Sequence, residues 1–340
     1  GYLDVWERLI TALDNPAIRE SALGGPDTSV RTKLVWQVKV APVPPVKVGP
    51  QPEPTCANSG EPWPSSASTG MLAAGSGGPT ESLPCSLPPE TGYQRLENQL
   101  YRVEIHTVDP DGTATFKWSR ENGSVVSLIS AQPTPGGSPP ATVTGPSFWA
   151  TSLSSDLSLG LKSGDWVELT DDSTELIAGS GTLYQVTTTP ADGHTVTIDP
   201  GGSAAPTVVT LALNPKLRRW DQAGAGLGQG IPVTTGTWIP LEGGVQVQFS
   251  AGTYAVGDYW LIPARTATSI QQGFVEWPAD ASSNPVPQPP AGIRHHYAKL
   301  GLVEFTAPAT FGGIGTATAP TDCRLPFMPL TDLMPKQSLS

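Results

Sequence analysis

Side chains able to do chemistry are sparse in this 340-residue chain, and they are densest at 292-GIRHHYAKL-300. Two of only four histidines, His295 and His296, stand side by side there, between Arg294 and Tyr297. Histidine near neutral pH offers metal ligation or proton transfer. On a strand, however, neighbouring side chains point to opposite faces. That separates the two rings, so one metal ion could not take both. The expected roles of His295, His296 and Tyr297 are structural, with one ring inside and the other facing a neighbouring subunit. His106 and His194 add no recognisable ligand spacing and no Cys-x-x-Cys occurs, so no metal or other cofactor is expected.

The acidic residues read the same way. In 109-DPDG, Asp109 and Asp111 sit two apart before Gly112, but the later acidic ligands and closing Glu of a calcium loop are missing. A turn capping a hairpin is expected there, and a turn again at Asp171 and Asp172. Glu97, Glu104 and Glu121 could pair for glycoside hydrolysis only if folding brought two of them together. Their simpler reading is as strand-edge carboxylates, solvated or bridged to Arg95, Arg102 and Arg120. Neither a Gly-x-Ser-x-Gly elbow nor a nucleotide-binding glycine motif is present. Among ten tryptophans, Trp6, Trp36, Trp118, Trp166 and Trp260 lie in apolar alternating runs and are expected in cores. Trp63, Trp149 and Trp238 lie among Gly, Pro and Ser. They are the candidate binding aromatics, placed to plug domain seams or, if exposed, to stack on a sugar ring.

These residues need elements to position them, and the composition points to strands. Gly and Pro number 37 each, only 14% of residues are charged, and 38% are hydrophobic. That suits a loop-rich, mainly β protein with real cores. A net charge of −11 without a basic cluster argues against nucleic acid and anionic membrane surfaces. The apolar runs are too short for a membrane-spanning helix.

Along the chain, 2-YLDVWERLIT and 33-KLVWQVKV alternate like strands. Between them Asp14 or Asn15, followed by Pro16, signals a short helix start. Residues 41–95 form a Pro/Gly/Ser-rich loop or arm. Cys56 and Cys85 stand in it, and a disulfide between them would close a long loop, leaving Cys323 as a small buried residue. Strands return at 96-LENQLYRVEIHTV and 113-TATFKWSRENGSVVSLIS, where 122-NG predicts a hairpin turn. The groups Gly164-Asp165-Trp166 and Gly257-Asp258-Tyr259 echo one another before apolar strands. The expected fold is mainly β: two or three small antiparallel barrel or sandwich modules with very little helix. Residues 1–40 would end an N-terminal β-module whose natural start precedes residue 1. Residues 96–215 would form a central β-module, and 216–340 a C-terminal one with an irregular tail.

Several stretches, 2-YLDVWER, 16-PAIRESALGGPDT, 34-LVWQVKV, 96-LENQLYRVEIH, 116-FKWSRENGSVV, 258-DYWLIPART and 292-GIRHHYAKL, carry a family resemblance. The set resembles large bacterial proteins built around a domain of unknown function and encoded with phage-tail-like or contractile-injection gene clusters. The resemblance implies a non-enzymatic structural or adhesive component of an extracellular or particle-associated, tail-like or fibre-like assembly. The expected partners are further copies, as a homo-oligomer such as a trimer, other assembly subunits, or a cell-surface glycan. A secreted polysaccharide- or peptide-acting hydrolase and a lectin-like glycan-binding module are the alternatives.

Overall fold

Strands with alternate apolar residues organise the chain. The computed structural model describes residues 1–24, 29–43, 54–61, 63, 68–77, 92–132, 138, 140–151, 160–177, 179–189, 193–199, 208–224, 226–269, 272–306 and 315–324. Among these the protein is mainly β, with one four-residue α-helix, α1 (Asp172–Glu175), and three short 3-10 turns. The strands begin with β1 (Tyr2–Ile10), β2 (Arg31–Lys39), β3 (Leu72–Ser76), β4 (Gln99–Val108), β5 (Ala114–Ser119) and β6 (Val126–Ser130). They continue with β7 (Thr142–Thr144), β8 (Ser147–Ala150), β9 (Trp166–Thr170), β10 (Thr182–Thr188), β11 (Thr195–Ile198), β12 (Val208–Thr210) and β13 (Lys216–Trp220). The last are β14 (Ile231–Pro232), β15 (Trp238–Pro240), β16 (Val245–Phe249), β17 (Tyr259–Arg265), β18 (Phe274–Val275) and β19 (His295–Lys299), before four two-residue pieces.

The chain divides into two compact units. The first comprises residues 1–8, 33–65 and 294–340; the second comprises 9–32 and 66–293. The first is built on a three-stranded sheet, β19-β1-β2, in which β1 is central.

The second unit holds two cores. Six strands close a barrel in the order β10-β11-β8-β6-β13-β9. Its interior is filled by Ile129, Phe148, Val167, Val186, Val196, Ile198 and Leu217. The other core lies between a five-stranded sheet, β14-β5-β4-β17-β18, and a three-stranded one, β15-β16-β3. Leu72, Tyr101, Val103, Ile105, Phe116, Phe249, Trp260 and Ile262 pack there, all fully buried. Period-two alternation explains the choice: in β16 (VQVQF) the apolar residues are buried and the glutamines half-exposed.

The repeated Gly-Asp groups are one turn used twice. Asp165 Oδ2 accepts from the Lys162 N–H at 3.0 Å, and Asp258 Oδ2 from the Ala255 N–H at 2.7 Å. Gly164 (φ 93) donates to the Val186 carbonyl and the Val186 N–H returns to Asp165. Gly257 (φ 84) and Asp258 make the same pair of bonds with Ile105. Positive φ favours glycine at the third position, and the carboxylate holds the turn that aims the aromatic strand. One copy leads into the barrel, the other into the five-stranded sheet.

Three expectations about organisation need correction. The 122-NG turn forms, with Asn122 and Gly123 both at positive φ and the Ser124 N–H bonded to the Glu121 carbonyl. It does not close a hairpin, however. Strand β5 pairs with β4 and β14, whereas β6 pairs with β8 and β13 in the barrel. A turn residue fixes a local bend; burial decides which strands then pair. Next, residues 72–76 of the supposed arm are a strand, β3, paired along its length with β16. The sequence LAAGS lacks the β-branched residues that advertise a strand. Finally, the expected boundary at residue 215 cuts through both cores, because β13 closes the barrel and β17 pairs with β4.

Candidate functional site

The HHY stretch is β19, and period two splits its rings as the spacing requires. His295 lies on the inner face of the first unit's sheet and His296 on the exposed outer face. His295 is opposite Trp6 on β1, and the two rings stack at 5.3 Å. The stack continues from His295 to Tyr297 at 5.8 Å and from Tyr297 to Trp63 at 5.7 Å. Tyr2 meets Tyr297 edge-on. Asp4, buried among these rings, holds the row: Oδ1 is hydrogen-bonded to His295 Nδ1 at 2.7 Å, and Oδ2 accepts from Lys39 Nζ at 2.7 Å. Lys39 also lies over the Trp6 ring. A buried carboxylate between two nitrogens satisfies its charge locally.

A staple secures the same face. Cys56 is bonded to Cys323, which corrects the expected Cys56–Cys85 pairing; Cys85 lies outside the described residues. Lys299 Nζ donates to the Cys56 carbonyl at 2.8 Å and to Ser59 Oγ at 3.0 Å. Sequence proximity suggested the nearer cysteine, but the sheet brings residues from both ends of the chain together.

The outer face of this sheet has the opposite character. Along β2 the side chains at even positions face outward: Leu34 is 64% exposed, Trp36 66% and Val38 60%, with Val40 just beyond at 81%. On β1 and β19 the paired residues Leu3 with Ala298 and Val5 with His296 share that side. Trp36 was expected in a core and is instead an exposed aromatic. Alternation identified a two-faced strand without showing that both faces are apolar and one is open. β2 is also an edge strand of the sheet.

The densest titratable cluster lies in the second unit, where the barrel wall faces the five-stranded sheet. Arg102, Glu104 and His106 alternate along β4 on the side away from its core. Lys117 on β5 pairs with Glu104, and across from them stand Glu168 on β9 and Trp220 on β13. Lys117 is 1% exposed; its Nζ lies 2.7 Å from Glu168 and 3.2 Å from Glu104. Glu168 also accepts from Trp220 Nε1 at 2.8 Å and the Gly181 N–H at 2.7 Å. Arg102 bridges Glu104 at 2.6 Å and covers the Tyr259 ring. Burial alone would raise the Glu168 pKa, but Lys117 overcomes it and holds the carboxyl down to about 2. The Glu104 pKa is also lowered, its burial outweighed by Arg102 and then Lys117. His106 is pushed down to about 4 by burial and the Lys117 charge. Its Nδ1 has no hydrogen-bond partner among the described residues. Charges matched this closely brace two sheets.

The remaining expected residues are dispersed. Asp111 accepts from the Thr113 N–H in the β4–β5 turn, and Asp171 caps α1 through the Thr174 N–H. Glu97 pairs with Arg95, and Glu121 with Arg219. Trp149 is on β8, half-buried and stacked on His194 at 4.6 Å. Trp238 is on β15, half-buried beside Gly75. Of the three candidate binding aromatics, only Trp63 joins the HHY row. Among the described residues no three His, Cys, Asp or Glu side chains are grouped to hold a metal ion, and no helix is long and apolar enough to cross a membrane.

No curated protein and no solved structure matches the chain. A family of unknown function, DUF6519, matches residues 1–43 and 64–309. The match takes in the HHY row except Trp63, the apolar stripe and the buried charge cluster, and leaves out both Cys56 and Cys323. Covering most of the sequence in the order of its strands, it places the chain in the DUF6519 family.

Proposed function

We propose that the chain is a non-enzymatic structural or adhesive component of an extracellular, fibre-like or phage-tail-like assembly. The observation that carries this reading is the exposed apolar face of the β19-β1-β2 sheet, centred on Trp36. An antiparallel sheet with one side in water alternates apolar and polar residues. This sheet has aromatics on one side and Leu34, Trp36 and Val38 on the other, the pattern of a sheet covered on both. Exposed patches of this kind mark interaction surfaces.

The buried charges support a mechanical role. Lys117 and Arg102 neutralise Glu168 and Glu104 where two sheets meet, which favours rigidity over proton transfer. Trp149 is already stacked on a ring of its own chain, an arrangement better suited to packing than to a sugar. The function is tested by fractionating material from the natural source. The chain is expected in a high-mass fraction that shows tails or fibres by negative-stain microscopy. Recovery only as free protein would overturn the proposal.

A further inference from the structure

Building on that reading of the face, we infer that its occupant is a second copy of this chain, packed outer face to outer face across a two-fold axis near Trp36. Size is the first argument. At their observed exposures, Leu34, Trp36, Val38 and Val40 alone present on the order of 500 Å², and a standard interface takes about 800 Å² from each partner. His296, Ala298, Leu3 and Val5 extend the patch toward that figure on the same side of the sheet.

Charge is the second argument. The segments of the first unit carry eight Lys/Arg against seven Asp/Glu, a net of +1. The segments of the second carry eleven against twenty-three, a net of −12, which accounts for the chain's −11. The nearly neutral unit thus carries the apolar face. The outward side chains of β2 within that unit include no charge, and on β1 the alternation that turns Leu3 and Val5 outward adds one carboxylate, Glu7, beyond Val5, so charge on this face is sparse. A cationic partner would be drawn to the acidic unit rather than to this one. Two sheets so packed form a sandwich with the Trp36 indoles at its centre, where aromatic residues contribute most to association. A face that packs on itself closes at two copies, because a two-fold contact uses the same patch on both partners.

Sedimentation equilibrium or light scattering on the full chain, over a wide concentration range, tests this. Twice the monomer mass is expected. Trp36→Asp should raise the dimer dissociation constant at least about thirtyfold. Val38→Asp should act in the same direction, with the circular-dichroism melt of both variants unchanged. Ile177→Asp, at an exposed apolar position of the second unit, should leave the dimer intact. A monomer at all concentrations, a trimer, or a dimer indifferent to Trp36→Asp would overturn the second copy as occupant. A monomeric chain whose entry into native particles is still blocked by Trp36→Asp removes the second copy and keeps the docking function. If Trp36→Asp also enters particles normally, the docking function falls with it.

Discussion

Lys117 shows what a single buried charge does in this protein. Its ammonium, shut away from water, is matched by Glu168 and Glu104, and the Trp220 ring lies 4.6 Å away. Removing one partner of such a group strands the other, at a cost of about 3–5 kcal/mol. Glu168→Gln should therefore destabilise the protein by about 3 kcal/mol in urea titrations. Lys117→Met combined with Glu168→Gln should cost less than the sum of the single changes, because the stranded charge is gone. His106 gives the second residue-level expectation. Its folded pKa of about 4 lies below the ordinary 6.5, so the unfolded chain binds the proton more readily. The stability held by the neutral ring is complete above pH 6.5 and falls away as pH drops towards 4, by about 3 kcal/mol. Glu168, held at about 2, loses its contribution lower still, between 4.5 and 2. Urea midpoints from pH 7.5 to 4 should fall in the wild type and flatten in His106→Gln. An unchanged slope in the variant would show that the acid sensitivity resides elsewhere.

Among the elements, the sheet of β1 and β2 depends on a strand far away in sequence. β1 pairs with β19, some 290 residues on, and Cys56 is joined to Cys323 across 267 residues. Closing so long a loop is worth up to about 5 kcal/mol in the chain-entropy model. Reduction, or Cys323→Ser, should lower stability by an amount approaching that in denaturant titrations run with and without dithiothreitol. The element scale is also where sequence reading reached its limit. β16, β17 and β19 are legible because each alternates, and the Gly-Asp turns because carboxylate and glycine sit at fixed offsets. β3 is hidden by its small residues. The pairing of β5 and β6 with different sheets is hidden because nothing local to Asn122 encodes it. Trp36 was assigned to a core because alternation reports that a strand has two faces, while only the arrangement of all three strands shows which face stays open. The buried cluster was half legible: Arg102 with Glu104 could be read along β4, but Lys117 and Glu168 meet only across two sheets.

At the scale of the whole molecule the uneven charge matters most. Two copies that associate bring two strongly acidic units into the same particle, and their repulsion opposes an apolar contact. Salt screens that repulsion over roughly 8–10 Å at physiological strength and leaves apolar burial intact. Dimer affinity should therefore rise as sodium chloride increases from low to moderate concentration. Weakening with salt would identify an interface held by ion pairs.

The threading of the chain through its two units also has a consequence for the order of synthesis. All strands of the barrel and of the neighbouring sheets lie between residues 72 and 275, whereas the sheet that bears Trp36 needs β19, which follows them. On the ribosome the acidic body can be complete while β1 and β2 still await their third strand. The surface able to join another molecule is therefore completed after the acidic body, which limits premature clustering among nascent chains.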